Sequence, residues 1–195
     1  MTEHILIVDG HPDAAEGRYV HALADAYKRA AEESGHEVRI LRLSENQFPL
    51  LRSNEDYLHG EPPNAVSAAQ HAIAWSDHIA VFFPLWLGGM PALLKGFFEQ
   101  VLRPGFAYAS HGKKGFPAKL LKGKSARIVV TMGMPALFYR WYFRAHSLKS
   151  LERNIFGFVG IAPIRTSIVG SVEGMSPQKR AAWLERMRRL GRAGT

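Results

Sequence analysis

A chain of 195 residues, 47% apolar and 22% charged, can bury one sizeable core and leaves little room for a second full domain. It holds no cysteine, which excludes disulfide frameworks, thiol catalysis and thiolate metal sites and fits a reducing compartment. The net charge of +8 is uneven: residues 1–122 carry 12 Lys/Arg against 14 Asp/Glu, residues 123–195 carry 13 against 3. Met1-Thr2-Glu3-His4 runs straight into Ile5–Val8 without a basic leader, and no apolar run reaches membrane-spanning length, so a cytoplasmic protein is expected. No nucleic-acid motif accompanies the basic end, and nucleic acid is not an expected partner.

His4–Asp9 is a short apolar run, as a central buried strand requires. A helix follows, with Val20, Leu23, Ala24, Tyr27 and Ala31 on one face, and Gly35 stops it. Glu37–Leu43 reads as a second strand. Residues 44–64, with Pro49, Gly60, Pro62 and Pro63, read as a long excursion, a length uncommon unless functional. Ala65–Ser76 is a helix and His78–Phe83 a third strand. Pro91 opens a helix with Leu93, Leu94, Phe97, Phe98, Val101 and Leu102 at helical spacing. Arg103–Lys124 is a second excursion, Ala126–Met132 a fourth strand, Phe138–Phe156 largely helical and Ile164–Val169 a fifth strand. Ser176-Pro177 starts a last helix with a side-chain cap and a proline. Its Arg186, Arg188, Arg189 and Arg192 lie opposite Trp183, Leu184, Met187 and Leu190.

Five β–α units predict an α/β fold of three layers, one domain over residues 1–195 with a doubly wound sheet of five parallel strands in the order 2-1-3-4-5. Ligands of such sheets sit beyond the carboxyl ends of the strands, where strands 1 and 3 part. The strand ends exclude several ligands. Strand 3 ends in Phe83-Pro84 rather than a carboxylate, and no lysine lies between Lys149 and Lys179, so a phosphoacceptor domain fails. Gly123-Lys124-Ser125 ends a P-loop pattern whose first glycine is Ala118 here. Gly-x-Gly-x-x-Gly after strand 1, Gly-x-Ser-x-Gly and His-Glu-x-x-His are all missing, and no metal site is expected.

Two strand ends carry positive information. Pro84-Leu85-Trp86-Leu87-Gly88-Gly89-Met90-Pro91 offers apolar and aromatic surface, then small residues that admit a ring close to the backbone. A planar heteroaromatic needs flat apolar contact plus N–H donors at its polar edge. Thr131-Met132-Gly133-Met134-Pro135 supplies a second backbone loop at the same crevice.

The block from Phe83-Pro84-Leu85-Trp86 through Leu94-Lys95-Gly96-Phe97-Phe98-Glu99 to Arg103-Pro104-Gly105-Phe106-Ala107-Tyr108 resembles the signature of the flavodoxin-like NAD(P)H:quinone oxidoreductase family. Gly10-His11-Pro12 and Phe48-Pro49-Leu50 extend the resemblance over nearly the whole chain. The family includes ancillary flavoproteins of potassium-efflux systems. The resemblance implies bound FMN or FAD, NAD(P)H as electron donor, a quinone-like acceptor reduced by two electrons, and homodimers with flavin at the interface. It places Pro84, Leu85, Trp86 and Leu87 along the isoalloxazine and Thr131, Gly133 and Met134 at its pyrimidine side. Tyr139 stands where the family has a tyrosine, and His146 resembles its partner histidine one residue out of register; both are the expected catalytic residues.

The departure from the family lies in His11-Pro12-Asp13-Ala14-Ala15-Glu16-Gly17-Arg18-Tyr19, where relatives carry a Ser/Thr or Asn cluster for the flavin phosphate. Asp13-Ala14-Ala15-Glu16 fits a capping box. Two outcomes are open: the phosphate is held by His11, Arg18, Tyr19 and backbone amides, or flavin affinity is weak or lost. The alternative function is a flavin-binding ancillary subunit with a membrane-protein partner, docked through the basic C-terminal third.

Overall fold

The structure, a computed structural model, describes residues 2–109 and 117–195. Five strands, β1 (His4–Asp9), β2 (Glu37–Arg42), β3 (His78–Pro84), β4 (Ser125–Thr131) and β5 (Ile164–Val169), form one parallel sheet in the order β2-β1-β3-β4-β5. This is the expected order. Side chains alternate through the pleat and feed two cores. Leu6, Val8, Ile79, Val81, Phe83, Ile128 and Val130 face α3 (Asn64–Trp75) and α4 (Ala92–Val101). Ile5, Ile7, Ala80, Phe82, Val129 and Val169 face α1 (Tyr19–Glu33) and the last helix, α8 (Pro177–Arg192). Helices α1 and α8 cross closely because Gly191 lacks a side chain; a Cβ there would lie 2.2 Å from the Tyr27 carbonyl.

The two excursions are more ordered than their composition implies. Within 44–64, α2 (Asn54–His59) is a short helix capped by Ser53, whose hydroxyl accepts from the Asp56 N–H at 3.0 Å. It has no buried residue, hence no apolar period. Buried Arg103 ties it down, donating to the carbonyls of Asp56 (2.8 Å) and Gly60 (2.9 Å). In the second excursion Tyr108–Ala109 and Ala118–Lys119 pair as an antiparallel ribbon, while residues 110–116 lie outside the described residues.

The stretch expected to be largely helical over Phe138–Phe156 is so, but in separate pieces. It comprises α5 (Ala136–Trp141), a turn with Arg144 and Ala145 both at φ 50°, α6 (His146–Ser150), a π-type turn at Leu151–Phe156 and α7 (Gly157–Val159). Two consecutive non-glycine residues in the left-handed region interrupt the i→i+4 ladder. No helix among the described residues is long and apolar enough to cross a membrane.

At the amino-terminal end of the sheet, buried His78 bonds the Ser125 hydroxyl through Nδ1 at 2.7 Å, and its Nε2 has no partner among the described residues. Burial, then nearby Arg127, pushes its pKa down to about 4. The folded ring is therefore neutral where an unfolded histidine is already charged. Stability is fully present above the unfolded value of about 6.5 and lost as pH falls through the folded value, roughly 3 kcal/mol over the whole window. His78→Asn, which keeps a partner for Ser125, should flatten the acid side of the stability profile. Urea unfolding at neutral and mildly acidic pH tests this, and equal losses in both proteins would refute it.

Candidate active site

Strand β1 ends on Asp9, which is fully buried, and the chain turns through Gly10 and His11 into the loop before α1. The Asp13 carboxylate accepts from the Ala15 N–H (2.9 Å) and takes Nε (2.8 Å) and Nη2 of Arg18. The hydrogen bond to Ala15 and the Arg18 pairing hold its pKa below the usual carboxylate range. These bonds displace the expected capping box. The helix starts at Tyr19, its N-cap is Arg18 without a side-chain cap, and the N–H groups of Tyr19 and Val20 have no partner among the described residues. Glu16, an unfavourable neighbour for a phosphate, lines a separate polar hollow with Asp25, Arg29 and Arg42 on the other side of the loop.

The second strand end is a tight turn. Trp86 and Gly89 exchange two backbone hydrogen bonds of 2.9 Å, with Leu87 (φ 47°) and Gly88 (φ 78°) left-handed at its centre. For leucine that conformation is strained. It projects Leu87 into solvent at full exposure, while Trp86 is turned edge-on to His11, centroids 5.7 Å apart. At the end of β4, Thr131 accepts from the Leu85 N–H (2.7 Å) and Met132 donates to Val169 (2.9 Å). The Met134 carbonyl accepts from Ser171 (3.0 Å). These contacts leave the amides of Gly133 and Met134 without a partner among the described residues.

Together these ends enclose a cavity of about 410 Å³. Of the residues expected from sequence, His11, Arg18, Tyr19, Pro84, Leu85, Trp86, Thr131 and Gly133 line it. Leu87 and Met134 do not: the turn points Leu87 outward, and the Met134 side chain packs on the core. Gly17, Val172, Glu173 and Arg180 line it without having been anticipated. Arg180 is fixed by its Nη2 bond to the Val172 carbonyl (2.6 Å) and lies over the Tyr19 ring at 4.9 Å, while the Tyr19 hydroxyl donates to the Arg180 carbonyl (2.8 Å). Its sequence signal, a cation in the first turn after Ser176-Pro177, is weak, since a helix end normally disfavours positive charge there.

His11 is mostly buried, and burial first, then His21 and Arg18, push its pKa down. Its Nδ1 accepts from the Asp13 N–H at 3.0 Å, so the ring hydrogen resides on Nε2. Burial likewise raises the Tyr19 pKa.

Tyr139 and His146 lie outside the cavity lining. Tyr139 is buried in the core and its hydroxyl accepts from the Leu148 N–H at 3.3 Å, in the place of an N-terminal cap for α6. In this position Tyr139 braces α6. The brace bears on the ring end, because Ser147 of α6 approaches Gly89: a Cβ built there would be 3.9 Å from its Oγ. His146 is exposed at the start of the same helix. Beside it, Leu137, Phe138, Trp141, Tyr142 and Phe143 form an exposed apolar patch, Trp141 at 90%.

The chain matches the family described as flavodoxin-like fold over residues 3–190. It is 28% identical to an uncharacterized NAD(P)H oxidoreductase of Haemophilus influenzae, covering 92% of this chain and 90% of the relative. It is 27% identical to an FMN-dependent NADH:quinone oxidoreductase of Nitratidesulfovibrio vulgaris, covering 95% and 97%. Among solved structures, an NAD(P)H:quinone oxidoreductase from Methanothermobacter marburgensis superposes with a TM-score of 0.82 at 25% identity, over 98% of this chain and 96% of that one. With the fold, the switch-point cavity and these relatives in agreement, the chain belongs to the flavodoxin-like NAD(P)H:quinone oxidoreductase family.

Proposed function

We propose that this protein is a flavin-dependent NAD(P)H oxidoreductase, one domain over residues 1–195, making two-electron reductions of quinone-type acceptors. The observation that carries this reading is the two-ended chemistry of the switch-point cavity. One end offers unpartnered amides at Tyr19 and Val20 with the cations of Arg18 and Arg180. The other offers Pro84, Leu85 and Trp86 opposite the free amides of Gly133 and Met134. The first suits a phosphate and the second a flat ring with a polar edge. FMN fits both ends, in keeping with the FMN dependence of the Nitratidesulfovibrio relative.

A bound flavin supplies hydride transfer, from NAD(P)H and then to the quinone. The chain supplies placement and field. Arg180 carries the positive charge at the phosphate end, because the Arg18 guanidinium is already neutralised by Asp13. The amides of Gly133 and Met134 are fixed donors at the edge where negative charge grows, and fixed dipoles need no reorganisation during reaction. His11, held neutral, offers its Nε2–H to the cavity. Trp86, about half exposed, leaves one side open to donor and acceptor in turn. Tyr139 keeps α6 against the ring turn, and His146 stands exposed beside the apolar patch.

That patch reads as the seat of a second copy, giving a homodimer. Contiguous exposed apolar surface of this kind marks interfaces. It lies on α5 and the turn into α6, whose Ser147 approaches Gly89, so a second copy seated there would close the open side of the ring site.

Purified protein incubated with FMN and desalted should retain a yellow chromophore and oxidise NADH or NADPH with a quinone. A preparation that stays colourless with both FMN and FAD would overturn the assignment. Arg180→Ala should weaken FMN binding by roughly 10- to 100-fold, the worth of a charge-assisted hydrogen bond, with Arg18→Ala costing less. Fluorescence titration of FMN measures both.

Replacing Leu137 and Trp141 together by glutamate should convert a dimer to a monomer in sedimentation analysis and reduce turnover. A monomeric wild-type protein would remove the patch from the reading.

A further inference from the structure

His21 lies in the first turn of α1, buried, with both ring nitrogens engaged. Nδ1 is 2.6 Å from the Asp9 carboxylate, and Nε2 is 2.9 Å from the backbone carbonyl of Asp13. Carboxylates and carbonyls only accept. Both nitrogens must then carry hydrogen, which makes the ring an imidazolium. A neutral ring would satisfy both contacts only if Asp9 were the protonated acid. Arg42 argues against that, since its Nη1 donates to the same carboxylate oxygen at 3.0 Å, and the His11 N–H donates to the other at 3.3 Å. A guanidinium within hydrogen-bond reach, with a second N–H, stabilises the anion.

We propose that His21 is a doubly protonated clamp, a positioning residue that ties Asp9 at the end of β1 to Asp13 and thereby fixes the loop presenting Arg18, Tyr19 and the free amides to the flavin phosphate. The proposal rests on the flavin reading of the cavity. The other bonds of the segment, from Asp13 to His11, Ala15 and Arg18, stay within the loop, and Ala14, Ala15, Glu16 and Gly17 are all exposed. The charged groups facing the clamp come from every side. Asp9 and Arg42 lie on the strands, His11, Asp13 and Arg18 in the loop, Asp25 one turn further along α1, and Glu16, Arg29 and Glu45 around the polar hollow. His11, with ring centroid 5.3 Å from that of His21, is neutral by its own hydrogen bond, so two neighbouring histidines hold opposite protonation states.

Two measurements test the clamp. Nitrogen NMR of the wild-type protein at neutral pH should show both His21 ring nitrogens protonated, with one His11 nitrogen lacking hydrogen. A neutral signature for His21 would overturn the proposal, and this arm needs no variant to fold and no flavin to bind. His21→Gln, which cannot donate to both acceptors, should raise the Kd for FMN by about tenfold or more, the loss of a charge-assisted bond. His21→Gln with unchanged FMN affinity would refute the positioning role even if the imidazolium is found. Should the wild-type protein bind no FMN, the flavin reading fails and the ring-nitrogen signature alone decides the protonated clamp.

Discussion

The carboxyl edge of the sheet is organised around one buried carboxylate. Asp9 has no exposed surface, and an unpaired charge in that position would cost several kcal/mol. The register of the parallel pair β1–β2 sets Asp9 opposite Arg42, so one cation arrives with the sheet itself. Arg42 is shared with Asp25 of α1, which fixes that helix against the strand. The remaining lone pairs take the His11 N–H and the His21 ring. Each partner belongs to a different piece of the site. Neutralising Asp9 therefore sets the direction in which the chain leaves β1, the start of α1 and the position of the loop between them.

The two ends of the cavity are held by different means. At the phosphate end the backbone is exposed and side-chain ion pairs supply the order, from Asp9 through His21 to Asp13 and Arg18. At the ring end backbone hydrogen bonds do the same work: Trp86 with Gly89, Leu85 with Thr131, Met132 with Val169, Met134 with Ser171. A charge network responds to titration and salt, whereas a backbone frame barely does. In the proposed flavin reading, ring placement is thus insulated from solution conditions that phosphate affinity feels.

Much of the fold was legible because buried parallel strands read as apolar runs, as β1, β3 and the Ile128–Val130 centre of β4 do. The strand order and the site at the switch point followed from counting β–α units. Errors arose where local signals compete. Asp13-Ala14-Ala15-Glu16 is a sound capping pattern, but the Asp13 carboxylate takes two charge-assisted bonds from Arg18, and the helix starts at Tyr19. The aromatic run after Pro135 has helical composition throughout, yet the Tyr139 carbonyl accepts from the Ala145 N–H and the chain turns left-handed at Arg144 and Ala145. Neither residue type announces that conformation. Arg180 went unread because a single cation near a helix start has no period and no motif, and only the closure of α8 against α1 carries it to the cavity.

That closure also gives the charge asymmetry of the chain an internal use. The basic last third looks like a docking face when counted along the sequence. In three dimensions, two of its arginines have specific positions inside the fold. Arg127, within β4, is buried and donates to the Ser167 hydroxyl, and Arg180 stands at the cavity with its guanidinium held by a carbonyl and an aromatic ring rather than by a carboxylate. A guanidinium fixed by neutral partners keeps its full charge for an anion, whereas Arg18, paired with Asp13, has spent most of its own. In the flavin reading proposed above, the Ser/Thr-poor loop before α1 works with a cation from elsewhere in the chain. The positive charge comes from the far end of the chain, and the amides that the loop leaves uncapped face the same space.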